Sequence, residues 1–69
     1  MSAKLDDIKD ALKVVQSINE AIESKKAPTP EKIEYCEDYI DGLCVLGLHG
    51  SAKAVNESLN RWCGLLLDA

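Results

Sequence analysis

The stretch KKAPTPEK (25–32) decides the fold. Pro28 cannot continue a preceding helix, because its ring fixes φ and removes a backbone N–H. Thr29 is an N-cap residue, Pro30 suits the first helical position, and Glu31 follows in the first turn, near the positive end of a helix dipole. Eight residues therefore hold a stop, a turn and a start. A connection this short makes the flanking helices antiparallel neighbours.

Upstream, apolar residues recur at three- and four-residue steps from Ala3 to about Lys25, the helical period. Ser2 is the candidate N-cap. Leu5, Ile8, Leu12, Val15 and Ile22 form the predicted seam, with Leu12 in the core. Asn19 interrupts that series. Either Asn19 lies on the seam and fixes register, as an asparagine does in a coiled coil, or the apolar face drifts to Ile18 and Asn19 is solvated. Downstream, the second helix is predicted over 30–48, with Ile33, Cys36, Ile40, Leu43 and Gly47 on its seam. His49-Gly50-Ser51 reads as a C-terminal turn, a glycine just past the helix end and a new serine cap. The third helix follows over 52–67, with Ala52, Val55, Leu59, Trp62 and Leu66 facing inward. One long helix fusing the last two is disfavoured by Gly42, Gly47 and Gly50. The predicted helices are thus 3–25, 30–48 and 52–67 in one domain, an all-α three-helix bundle made of a hairpin plus a third helix. Leu12, Leu43, Leu59 and Trp62 are expected to be buried.

A chain of 69 residues buries only about 60% of its unfolded surface, so its core is marginal and needs support. Three cysteines (36, 44 and 63) and one histidine (49) offer no spacing of a metal or redox motif. Cys36 and Cys44 are about 12 Å apart along one helix, too far for a disulfide. All three cysteines read as small buried hydrophobes in a reducing compartment, and no cofactor or metal is expected. Regular helix packing and self-association remain as support. Val14, Ile18, Val45, Leu46, Leu48, Leu65 and Leu67 fall off the seams, and LCVLGL (43–48) is apolar on nearly every side. Burial on every side there predicts a homodimer.

The net charge of −4 is concentrated. Residues 1–26 carry five lysines and five acids. Residues 51–69 carry Lys53 and Arg61 against Glu57 and Asp68. Residues 27–50 carry Glu31, Glu34, Glu37, Asp38 and Asp41 against Lys32 alone. On a helix those five acids fall within an arc of roughly 120°, opposite the seam. Tyr35, Tyr39, Gly42 and Leu46 run as a stripe beside them. Acids on a solvent face and tyrosines at a core rim are ordinary. Like charges three or four residues apart nevertheless oppose helix formation, and tyrosine beside carboxylates is the composition of a patch that meets a basic protein. The candidate partner-binding residues are Glu34, Tyr35, Asp38, Tyr39, Asp41, Gly42 and Leu46, with Tyr39 as anchor.

The short length, the two-proline loop KKAPTPEK and the acidic-aromatic helix carrying EYCEDYID (34–41) resemble small phage-encoded inhibitors of host regulators, of the quorum-sensing anti-activator type. What the resemblance implies is a helical homodimer in the host cytoplasm that blocks the DNA-binding part of a bacterial transcriptional regulator. An acidic helix can occupy such a basic surface by imitating phosphates. Antitoxins and immunity proteins, or a purely structural helical oligomer, fit the same composition. A helix-turn-helix reading would place LHGS (48–51) at the turn and Lys53, Asn56, Asn60 and Arg61 on the reading helix. That helix has no surplus positive charge for phosphate contacts, so direct nucleic-acid binding is not expected. The longest apolar run, 43–48, is far too short to span a bilayer, and no membrane partner is expected. No nucleophile–base pair or phosphate loop points to an enzyme.

Overall fold

The computed structural model describes residues 2–68, and side chains within 5–67. Three helices pack on one another: α1 (Ser2–Glu23), α2 (Pro30–Val45) and α3 (His49–Asp68). The protein is all-α, with extents of 43 × 18 × 17 Å. No helix among the described residues is long and apolar enough to cross a membrane.

Two groups of buried residues fix the helix directions. Ala11, Leu43, Ala52 and Val55 meet toward one end. Ile18, Cys36, Leu59 and Trp62 meet toward the other. Going from the first group to the second advances along α1 and α3 but goes backward along α2. So α1 and α3 run parallel, and α2 runs antiparallel to both, as the short 24–29 connection requires. Both α1 and α2 pack closely on α3, while α1 and α2 approach each other less closely. The hairpin partners are therefore held together mainly through α3. Val55 is fully buried where all three helices meet. Burying a side chain of that size contributes about 1.5–3 kcal/mol.

The predicted start of α2 holds in detail. Thr29 is the N-cap, its Oγ1 accepting the Lys32 N–H at 3.2 Å, with Pro30 next. The end of α1 is made by Lys25, which sits at φ 58 in the left-handed region. Lys26 N–H donates to Ala21 O at 2.9 Å and Lys25 N–H to Ile22 O at 3.0 Å, satisfying carbonyls the helix would otherwise leave free. The indole N–H of Trp62 donates to Lys26 O at 2.6 Å and ties this turn to α3. Pro28 is buried in the connection.

Several expectations are corrected. Leu12 is exposed (56%), as are Leu5 and Ile8; the face of α1 turned to the core is Ala11, Val14, Ile18, Ala21 and Ile22. Around the helix axis that face is rotated by about 100° from Leu5/Ile8/Leu12. Small Ala11 faces Ala52 and Val55, which lets α1 and α3 approach closely, and the larger Leu12 is left outside. The drift to Ile18 is thus observed. Asn19 is half-buried, and its Oδ1 accepts from Arg61 at 3.4 Å. Ser58, which the pattern did not place inside, is 1% exposed, and its Oγ accepts from the same guanidinium at 3.2 Å. Leu66 is exposed, while its neighbour Leu65 is the residue that packs on the Ile18/Cys36/Leu59/Trp62 group. Ser2 is the first helical residue of α1, not the residue before it.

The α2–α3 junction also differs. Gly47, at φ 81, ends α2, and Gly50 lies inside α3, which opens at His49. Gly47 N–H donates to Cys44 O at 3.0 Å and Leu48 N–H to Leu43 O at 2.9 Å. Leu48 then packs on the buried group that contains Leu43, the apolar contact that accompanies this cap. That contact selects Gly47 over Gly50. Cys36 is buried, Cys63 half-buried and Cys44 exposed, so not all three cysteines belong to the core. Within the single chain Val45 is 88% exposed and Leu46 51%, so the 43–48 run leaves apolar surface uncovered.

Candidate partner-binding face

Burial of Cys36 and Leu43 sets the rotation of α2. With those two facing inward, Glu31, Glu34, Glu37, Asp38 and Asp41 all stand exposed. Side-chain hydrogen bonds among the described residues engage Thr29, Asn19, Ser58, Arg61 and Trp62, and no carboxylate of α2 takes part in them. Glu37, Asp38 and Asp41 border a shallow depression of about 420 Å³ closed by Ile40 and by Asn56 of α3. The acidic surface thus reaches from the outer face of α2 toward α3.

The tyrosine stripe lies on the opposite flank. Tyr35 and Tyr39, one helical turn apart, stack with ring centroids 6.3 Å apart and planes 6° from parallel. Their environments differ. Tyr39 is half-buried and packs against the Ala11/Leu43/Ala52/Val55 group. Tyr35 is 61% exposed. Burial pushes the Tyr39 phenol above its ordinary range, and negative charge at Asp10, the neighbouring Tyr35 and Asp7 act in the same direction. Asp7 and Asp10 of α1 thus bring further negative charge to bear on Tyr39. Sequence reasoning missed them because α1 is neutral as a whole.

Beyond Tyr39, Gly42 is exposed, and a Cβ added there would meet no atom within 4 Å. This is open surface, accessible to another backbone. Leu46, the C-cap residue of α2, ends the stripe with its side chain half in solvent. All seven predicted site residues thus lie on one continuous side of α2. Six of them are exposed, and Tyr39 is the exception. The division of labour between the tyrosines follows. Tyr39 holds the stack to the core, and Tyr35 presents the free ring. Val45, 88% exposed, falls within the acid arc and adds an apolar contact there.

Apolar surface is also left uncovered elsewhere. Leu5, Ile8 and Leu12 form a second stripe along α1. Ile8 and Leu12 border a depression of about 200 Å³ with the small residues Gly50, Ser51 and Ala54 of α3. Among the described residues, no group of three or more His, Cys, Asp and Glu is placed to hold a metal ion. No protein-family model matches this chain, and no curated protein or solved structure is significantly similar to it.

Proposed function

We propose that this protein is a binding module that acts by covering a basic surface of another protein. The observation that carries the reading is the side of α2 where exposed Glu34, Asp38 and Asp41 stand beside the Tyr35–Tyr39 stack, with no side-chain hydrogen bond from these acids to the other described residues. Exposed carboxylates steer a cationic partner and pair with arginine or lysine, while an aromatic ring and open backbone at Gly42 supply close contact. Basic surfaces of this kind are found where proteins bind DNA or RNA phosphates. A helix bearing carboxylates along one face competes for that surface, so the protein acts as an inhibitor by occlusion. The DNA-binding part of a bacterial transcriptional regulator, in the cytoplasm, is the partner class this reading favours.

The second part of the proposal is a homodimer. Leu5, Ile8 and Leu12 offer an apolar stripe, and Gly50, Ser51 and Ala54 beside it let a partner helix approach closely. This strip lies apart from the acidic face, so a dimer closed through it presents two such faces. A purely structural oligomer would use the same strip and leave the acids solvated.

The test is capture from bacterial lysate with tagged protein, run beside the Asp38→Lys/Asp41→Lys variant. Both positions are exposed, so the variant keeps its fold, checked by circular dichroism. The proposal expects a basic nucleic-acid-binding protein with the original sequence and its loss with the variant. Equal recovery with both baits, or recovery of the protein alone, would sink it.

A further inference from the structure

The less intimate approach of α1 and α2 leaves a groove of about 520 Å³ between them. It exists because the facing residues are small: Ser17 and Ala21 on α1, Cys36 on α2. Its floor is Ile18 and the indole of Trp62. The indole N–H is already satisfied by Lys26 O, so the ring offers only apolar surface to an occupant. The connection at Ala27 and Thr29 contributes to one end. The volume falls within the roughly 300–1,000 Å³ typical of small-molecule sites, which combine apolar walls with a few polar groups.

The charge around this groove is opposite to that of the protein. Lys13 of α1, Lys26 of the connection and Lys32 of α2 all line it, three of eight cationic side chains in a chain of net charge −4. Side-chain hydrogen bonds of the described residues engage none of the three ammonium groups. Lys32 and Cys36 are four residues apart on α2, one helical turn, and both line the groove. The three cations come from three separate segments and converge only in the fold, so linear charge counting could not find them.

We infer that this groove binds an amphipathic anion, a small molecule with a medium-length apolar body and one carboxylate head. The body lies on Ile18, Ala21 and Trp62, and the head meets the lysines that line the groove. This inference is independent of the acidic face, although Tyr35 borders both.

Trp62, the sole tryptophan, reports on the groove directly. The experiment titrates the full chain with decanoate below its micellar range and follows Trp62 emission. Decanol serves as the neutral body and acetate as the head alone. The expected result is a saturable change with decanoate, a several-fold weaker response to decanol, and none with acetate. Lys13→Gln/Lys32→Gln, at two exposed positions, should weaken decanoate several-fold and leave decanol unchanged. Ala21→Phe should abolish the response by filling the groove. Equal binding of decanoate and decanol, no effect of the lysine changes, or no saturable response would overturn the inference. So would a response confined to an acidic amphipathic peptide, which would make the groove a protein-docking surface.

Discussion

Replacing Gly47 by alanine isolates one physical effect. Gly47 holds φ 81, and a Cβ added there would meet no atom within 4 Å. Packing therefore neither gains nor loses, and what remains is backbone. An L-residue in the left-handed region costs roughly 1–2 kcal/mol. Against this, alanine restricts the unfolded chain and returns about 0.4–1 kcal/mol. The net is a destabilisation of about 1 kcal/mol, which for a domain of this size lowers the melting temperature by about 4–8 °C. D-alanine placed there by chemical synthesis removes the strain and keeps the restriction, so it should raise stability by about 0.4–1 kcal/mol. Lys25 is the reciprocal case. It holds φ 58 without being glycine, so Lys25→Gly should stabilise, by less than about 1 kcal/mol because the freer unfolded chain offsets part of the gain. Thermal and urea unfolding by circular dichroism measure all three. Equal stability of Gly47→Ala and the original chain, or destabilisation by both alanine enantiomers, would refute the assignment of Gly47 as the residue that ends α2.

Three further outcomes follow from burial and hydrogen bonding. Under iodoacetamide at neutral pH, exposed Cys44 should alkylate first and half-buried Cys63 next. Cys36 should come last, since burial pushes its thiol up despite the opposing Lys32 charge, and peptide mass spectrometry gives the order. Tyr39 has its folded pKa raised above the unfolded value of about 10, so its contribution to stability is intact below that value and is lost as pH rises through the folded one. Comparing alkaline unfolding of the original chain with Tyr39→Phe should show a steeper fall for the original. Trp62→Phe removes the donor to Lys26 O and should cost at least about 1–3 kcal/mol in urea unfolding, because a partly buried carbonyl loses its partner.

The second helix was legible in the sequence because its signals agree. KKAPTPEK gives both a stop and a start, and Cys36 and Leu43 set a single inward face, so the placement of all seven candidate residues on one side followed. The first helix was not legible to the same degree. Its apolar residues cover a wide arc that holds two stripes, Ala11/Val14/Ile18 and Leu5/Ile8/Leu12. Periodicity alone favours the larger side chains, and close packing on α3 selects the smaller ones. The end of α2 offered two glycines, and the choice depended on where Leu48 could be buried. Apolar surplus was recognised at Val45, Leu46 and Leu67, which are exposed, whereas the stripe on α1 was taken for core. Val45 and Leu46 are exposed at the end of α2, and the longer uncovered stripe is on α1. The roles within the tyrosine pair needed the structure as well. Tyr39 cannot be removed without disturbing the core group it packs on, which makes Tyr35 the cleaner probe of binding.

Occlusion of a nucleic-acid-binding surface is the central claim, and a competition measurement tests it most directly. The basic partner captured by the tagged protein is bound to a fluorescently labelled duplex, and anisotropy is followed as the protein is added. The account predicts that anisotropy falls to that of free duplex as the protein reaches stoichiometric excess. Tyr35→Ala should require a higher concentration, and Asp38→Lys/Asp41→Lys should have no effect. A rise in anisotropy, meaning that partner, duplex and protein bind together, would contradict it.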